Sequence, residues 1–385
     1  MGNSQSAPAT GVKKKVVQSG ASKYGPYRSN MDPSTGQTTW SSPMANQPDF
    51  QAESDLRKWL LNFVSVCDKS DETIVREPGS LAGSQFIINN CTNCNFWLLD
   101  YTSTITIDKC EDCRFFVGPC ESSLFIRDSK NCSAVIAVGQ LRLRDCYNMD
   151  FLLYSQTEPV IEKSSKVRFG CFRSSYFNLS KQMECAGLNP WQNRWFNVHD
   201  FTPGSGKNWS PMHISVTAKD MLKEMPEQVS AAVSWSSYDS PAGTMKSKDC
   251  AIPYTHGENI VTKPFSNKHL FVFVYPSETA NDSAHNVMDT LLSSASPIQL
   301  VRTKSFLLEP AMAKRFCGAG ALAGQMQKIL MGNSIGLHFY GDVDPALMPL
   351  SSVFTGTDVV VFDNVDEGKQ HLDMFFDEFK ISEST

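Results

Sequence analysis

The stretch Cys91-Thr92-Asn93-Cys94 returns nineteen residues later as Cys110-Glu111-Asp112-Cys113, and after another nineteen as Ser129-Lys130-Asn131-Cys132. Weaker copies follow as Cys146-Tyr147-Asn148-Met149, seventeen residues on, and Ser164-Ser165-Lys166-Val167, eighteen on. Apolar residues alternate ahead of each copy (Phe86 and Ile88, Ile105 and Ile107, Leu124 and Ile126, Leu141 and Leu143). They alternate again behind it, at Phe96 and Leu98, Phe115 and Val117, Ala134 and Ile136, Phe151 and Leu153. A period of two nested in a period near nineteen suits strands and fits no single helix. Stacking equivalent strands as ladders buries every alternating residue at once. The pattern therefore predicts a right-handed parallel β-helix of about five coils.

The repeat bears on the cysteines. Cys91-x2-Cys94 with Cys110-x2-Cys113 has the spacing of a four-cysteine zinc site. The same positions hold Ser129 and Cys132, then Cys146 and Met149, in the next copies. A metal site needs its ligands once, whereas a repeat reuses a small, buryable residue in every coil, so stacked core thiols are favoured over zinc or disulfides.

Alternation also fixes what points outward. With Leu141 and Leu143 inward, Gln140, Arg142 and Arg144 face out. Asp108, Arg127, Arg144 and Glu162 then share one outward column and can form ion pairs between coils. Arg142 has only Thr106, Phe125 and Val160 as column neighbours, so no partner for it is evident. An unpaired guanidinium beside a glutamine on a rigid sheet is a candidate for acting on something external.

The run Arg76-Glu77-Pro78-Gly79-Ser80-Leu81-Ala82-Gly83-Ser84-Gln85-Phe86, the Cys-x2-Cys coils and Gly139-Gln140-Leu141-Arg142-Leu143-Arg144-Asp145-Cys146 resemble the tubulin-cofactor-C domain. Phe169-Gly170-Cys171-Phe172 and His199-Asp200-Phe201-Thr202-Pro203 fit one branch of that family, and the resemblance runs from Asp71 to Trp209. It implies a GTPase-activating protein that supplies an arginine finger in trans to an Arf-like small GTPase in its GTP form, in a branch linked to release of lipidated ciliary cargo. By resemblance the finger falls on Arg142 and its companion on Gln140, with further GTPase contacts at Arg144, Glu162 and Phe201.

The residue types suit that chemistry. Charge spread over the γ-phosphoryl oxygens needs a cation, and the planar guanidinium reaches two oxygens at once where lysine reaches one. Gln140 could hold the partner's catalytic glutamine and water. Mg²⁺ and GTP would arrive with the partner, so no cofactor, no bound metal and no independent turnover are expected of this chain. The alternative from another class is a scaffold or effector that binds the GTP-bound GTPase, or tubulin or actin, without accelerating hydrolysis. A pure binder has no need of arginine at 142.

With 385 residues, 41% hydrophobic and a formal charge of -5, the chain has room for two domains and no bulk affinity for nucleic acid. Twelve cysteines without a secretory signal suggest a reducing compartment. Met1-Gly2-Asn3-Ser4-Gln5-Ser6 matches the N-myristoylation pattern, with lipidation at Gly2. One acyl chain anchors only marginally, and Asn3 stands where the family usually has a cysteine to palmitoylate. Lys13, Lys14 and Lys15 can supply an electrostatic second signal to a membrane surface. The resemblance implies the cytoplasmic face of the plasma membrane and the ciliary base.

The chain divides into a polar membrane-anchoring tail (1–50), the β-helix with an amphipathic N-terminal cap around Leu56, Trp59, Leu60 and Phe63 (51–214), a linker (215–265) and an α/β domain (266–385). Tyr27 to Pro43 faintly resembles half of a WW module, and Met221 to Ala232 reads as helical. In the last domain, strands are expected at 269–275, 298–308, 334–340 and 358–362, with helices at 280–294, 310–331 and 368–380. By resemblance this domain is nucleoside-diphosphate-kinase-like, with a ferredoxin-like fold. Val360 falls where that kinase carries its nucleophilic histidine, His338 falls in a strand and His371 on the surface of the last helix. An inactive domain serving stability or docking is expected.

Overall fold

The computed structural model describes residues 28–31, 38–41, 63–204, 206–222, 225–232, 235–237, 250–258, 269–293, 298–318, 320–341, 358–362 and 365–378. Gly2, Lys13 to Lys15 and most of the expected cap, with Leu56, Trp59 and Leu60, lie outside them. Within the tail, Arg28–Met31 pairs antiparallel with Thr38–Ser41, Ser29 opposite Trp40.

The repeat folds as a parallel β-helix with two long ladders. The first stacks Ser65–Cys67, Phe86–Asn89, Ile105–Asp108, Leu124 to Arg127, Leu141 to Arg144, Val160–Glu162 and His199–Asp200. The second stacks Thr73–Arg76, Asn95–Leu98, Arg114 to Val117, Ser133 to Ile136, Met149 to Leu153, Val167 to Cys171 and Trp209–Pro211. Between the ladders the chain turns a corner that needs two left-handed residues three apart. These form two columns: Asp68, Asn90, Lys109, Asp128, Asp145 and Lys163, and Asp71, Asn93, Asp112, Asn131, Asn148 and Lys166, all with φ between 46° and 59°. Asn and Asp tolerate that region better than other residues with a Cβ, which explains their recurrence beside the cysteines.

All twelve cysteines are free thiols, and those of the repeat are buried. Most donate to the carbonyl two residues back: Cys91 to Asn89, Cys110 to Asp108, Cys113 to Glu111, Cys132 to Lys130 and Cys146 to Arg144, at 3.2 to 3.5 Å. Ser129 and Ser164 occupy the Cys91 column and make the same bond, to Arg127 O at 2.8 Å and Glu162 O at 2.9 Å. The column therefore selects a small donor, and either thiol or hydroxyl serves. Burial pushes the Cys91 and Cys146 thiols up to about 11.

The two outer faces differ. On the second ladder Trp97, Phe116, Val135 and Leu152 are buried beneath Leu179, Met183, Met221 and Leu222 of the helices Leu179–Cys185 and Ala218–Leu222. Gln182 stitches this cover down, donating to Leu99 O at 2.8 Å while accepting from the Tyr176 hydroxyl at 2.7 Å. The expected helix over 221–232 is two short helices, Ala218–Leu222 and Glu227–Ala232, parted by Pro226. Among the described residues no helix covers the first ladder's outer face.

The C-terminal unit is a four-stranded antiparallel sheet in the order Ile298–Leu307, Asn333–Gly341, His269–Val274, Val359–Val361. Second, third, first, fourth is the ferredoxin-like order. Helix Ala280–Leu292 packs on one face through Ala284, Val287, Met288 and Leu291. Leu372, Met374 and Phe375 of the last helical segment pack on the other. That segment begins at Val365 and ends as a π-helical turn over Met374–Glu378. The span 310–331 is not one helix but Pro310–Phe316, a 3₁₀ turn at Gly320–Leu322 and Met326–Ile329, because Gly320 and Gly324 sit at φ of 73° and 78°. His371 is not on the surface. It is 5% exposed, stacked on Phe362 at 4.6 Å, with its ring nitrogens 2.9 Å from Glu367 O and 3.1 Å from Phe316 O.

Residues from the expected linker join the two units. Thr255, fully buried, accepts from Trp195 Nε1 at 3.1 Å, and its N–H reaches Cys171 Sγ at 3.4 Å. The next two residues pair with the edge strand of the sheet, His256 N to Leu300 O and Gly257 N to Val301 O. Asn189 Nδ2 donates to Ser305 O, Thr303 Oγ1 to Trp191 O, and Trp191 Nε1 to Asn281 Oδ1.

Candidate functional site

The outer face of the first ladder carries Gln140, Arg142, Arg144 and Glu162, the outward positions singled out from the repeat. Two outward columns run up it. One holds Ile87, Thr106, Phe125, Arg142, Val160 and His199. The other holds Asn89, Asp108, Arg127, Arg144 and Glu162. Phe201 continues the second column, its N–H donating to Ile161 O at 2.9 Å. Gln140, Arg142, Arg144, Glu162 and Phe201 therefore fall on three successive rungs, each step about 4.8 Å.

Arg142 is not wholly alone. Its Nε donates to Gln140 Oε1 at 2.8 Å, and its guanidinium carbon stands 5.9 Å from the Phe125 ring centroid. Gln140 and Arg142 are two apart on one strand and so share a face, which makes the bond available without any turn. Among the described residues no hydrogen bond or ion pair reaches either Nη atom of Arg142. Just upstream, Gly139 is forced: a Cβ there would lie 2.5 Å from Glu121 O and 2.6 Å from Ser122 O.

The charge column is uneven. Arg127 grips Asp108 through two bonds of 2.7 Å. On the second ladder Arg168 grips Asp150 through two of 2.6 Å. Arg144 is held loosely, 3.3 Å from Asp145 and 3.9 Å from Glu162, and is exposed. Beside Arg142 the ladder's ion pairing is thus slack, and Arg144 and Glu162 can re-pair with little loss.

Phe201 is 62% exposed, yet its position is built. The His199 ring meets it edge-on at 4.5 Å. Asp200 accepts from Thr202 N at 2.9 Å and Asn208 Nδ2 at 2.8 Å, and Thr202 Oγ1 accepts from Lys163 N at 2.6 Å. A large apolar side chain is thus held out in solvent by a tied loop. Sequence reasoning missed His199, Asp200 and Thr202 as its supports; the outward parity of His199 was the available signal.

The α/β unit offers no comparable face at the positions weighed for phosphotransfer. Val360 pairs with Phe273. His338 is 4% exposed, and His371 lies between aromatic rings. Among the described residues no three His, Cys, Asp or Glu side chains converge as metal ligands.

A family model described as "Tubulin binding cofactor C" matches residues 83–201. Protein XRP2 of Mus musculus is 31% identical over 309 residues, which is 80% of this chain and 85% of that protein. Protein XRP2 of Danio rerio is 33% identical over 80% of this chain and 79% of its own length. The tubulin-folding cofactor C of Arabidopsis thaliana is 28% identical over 37% of this chain and 42% of its own. Among solved structures, tubulin binding cofactor C of Leishmania major aligns with 20% identity and a TM-score of 0.28 over 32% of this chain and 84% of that chain. The nucleoside diphosphate kinase of Aquifex aeolicus aligns with 12% identity and a TM-score of 0.25 over 30% of this chain and 99% of that one.

Proposed function

This chain belongs to the XRP2 family of proteins with a tubulin-binding-cofactor-C domain, and from that premise we propose that it accelerates GTP hydrolysis by a small GTPase of the Arf-like class. Arg142 enters the partner's nucleotide site as an arginine finger. The observation that carries this reading is the state of its guanidinium, with Nε bonded to Gln140 and both Nη atoms uncommitted among the described residues. That outer edge is the part that bridges two phosphoryl oxygens. The bond from Nε to Gln140 already restrains the side chain, so less ordering entropy is lost when the partner docks.

Each residue of the face has a part. Phe201 fills an apolar recess of the partner, Glu162 and Arg144 exchange their slack mutual pairing for partner charges, and Gln140 keeps the finger's plane. Nucleotide and Mg²⁺ come with the partner. An acyl chain on Gly2, supported by Lys13, Lys14 and Lys15, holds the protein to a membrane surface at the cytoplasmic face of the plasma membrane and the ciliary base, where the cycle serves trafficking of lipidated cargo.

The test is single-turnover GTP hydrolysis by GTP-loaded Arf-like GTPases with the native chain and with Arg142→Ala, alongside equilibrium binding of both. A finger in trans is expected to raise the rate by ~10³ to 10⁵, with the gain lost in the variant while binding persists. Tight binding of a GTP-loaded GTPase, or of tubulin, with no acceleration by the native chain would make it a scaffold or effector instead.

A further inference from the structure

Gln140 fixes one edge of the Arg142 guanidinium, but a single bond to Nε leaves the plane free to swing about it. The second restraint comes from the neighbouring coil. Phe125 lies directly below Arg142 in the column, and its ring faces the guanidinium carbon at 5.9 Å. Above Arg142 stands Val160, which is too small to compete for the plane. The column is otherwise aliphatic or polar around this point, with Ile87 and Thr106 in the two coils before Phe125. The single aromatic ring between Ile87 and Arg142 thus sits where a guanidinium can rest on it.

We infer that Phe125 is a positioning residue for Arg142: its ring is a shelf that selects the extended rotamer and directs the two Nη atoms away from the sheet. This inference rests on the arginine-finger reading and adds to it a residue that touches neither nucleotide nor partner. A flat cation resting on a ring at an exposed site gains stacking that a branched aliphatic side chain cannot reproduce. Leucine at 125 would fill the same half-buried place without presenting a π face, and tyrosine would retain one.

Two measurements separate the shelf from the finger. The first uses the isolated full chain: the Arg142 Nε–H proton resonance, assigned by its disappearance in Arg142→Lys, is expected to be shifted by the neighbouring ring, moving downfield in Phe125→Leu, where the Gln140 bond remains and the ring is gone, and keeping its native position in Phe125→Tyr. The second is single-turnover hydrolysis at increasing activator concentration. Phe125→Leu should lower the saturating rate about two- to fivefold, the factor that exposed cation–π stacking supplies, with the half-saturating concentration unchanged and with Phe125→Tyr restoring the native rate. A shifted resonance together with a rate insensitive to Arg142→Ala would sink the finger and, with it, the catalytic part of this inference. An unshifted resonance, a leucine variant with native saturating rate, or one altered only in half-saturation would overturn the shelf while leaving the finger in place.

Discussion

His269 Nδ1 lies 2.8 Å from His338 Nε2, and Arg302 Nε donates to the other nitrogen of His338 at 3.2 Å. Arginine has no acceptor, so His338 Nδ1 must accept and its Nε2 must carry the proton given to His269. The wire is closed to an added proton. Arg302 is fixed in turn by Asp377 of the π-helical turn at 2.7 Å and by Glu258.

Stability of the α/β unit is therefore expected to fall in mild acid. Burial, then Arg302 and His269, holds His338 well below the usual histidine range. Burial, then Lys369, lowers His269 against the opposing pull of Asp373. A histidine depressed in the folded state contributes stability that is complete above its unfolded value near ~6.5 and is lost as pH falls from there toward the folded value. His256, which burial lowers to about 4, adds a term of the same sign. Thermal unfolding midpoints should be flat above pH ~7 and decline between ~6.5 and ~5, and His338→Gln should flatten that decline in part. Equal slopes for native and variant would refute the wire's role.

Docking should be separable from folding at two outward residues. Phe201→Ala is expected to weaken binding to a GTP-loaded partner by about 2 kcal/mol or more, as truncated anchors do. The unfolding midpoint should not move, since that ring is 62% exposed. Val160→Trp fills the step between Arg142 and His199 and should cost ~10-fold or more in affinity, as a steric clash at a docked surface does. Calorimetric titration checks both, and native affinity in the Val160 variant would show that the partner does not enter that step.

The donor column can be tested within the core. Ser129 Oγ accepts from Cys110 N at 3.0 Å while donating to Arg127 O. Ser129→Ala strands Cys110 N, while Arg127 O keeps its bond from Lys109 N at 3.0 Å, and should lose about 1–3 kcal/mol, whereas Ser129→Cys, which the neighbouring coils already use, should lose less. Chemical denaturation midpoints decide it; equal losses would mean that volume, not hydrogen bonding, sets the column.

Membrane attachment should need two signals. With N-myristoyltransferase supplied, the native chain is expected to float with anionic vesicles in low salt, and Gly2→Ala should abolish this. Replacing Lys13, Lys14 and Lys15 together by alanine should weaken it by up to ~3 kcal/mol, at roughly 1 kcal/mol per lysine. Flotation of Gly2→Ala equal to native would exclude the acyl anchor.

The β-helix was legible because its signal repeats: one ambiguous strand is weak, but several copies of one alternation place Leu141 and Leu143 inward and Arg142 outward. The charge column followed from the same parity. The corner residues Asn90, Asn93 and Asp112 were legible too and went unread, since the cysteines between them drew the chemistry. The α/β unit was harder because each element occurs once. A helix over 310–331 looked continuous by composition, and only the left-handed glycines break it. His371 looked like a surface residue because its burial depends on Phe316, 55 residues away, and on Phe362 from the preceding strand end. The repeat did place Phe125 next to Arg142 across one coil, but column register alone does not show that the ring lies beside the guanidinium.

The seam between the units has a bearing on aggregation. Strand Ile298–Leu307 is the long edge of its sheet, and unpaired edges recruit other chains. Here that edge is occupied by His256, Gly257 and Asn189, residues that also pack against the last coils of the β-helix. The residues at the seam thus block this sheet's route to polymerisation. A C-terminal unit expressed from residue 266 onward lacks His256, Gly257 and Asn189, leaves the ten-residue strand as an open edge and is expected to form fibrils or oligomers, not a soluble module.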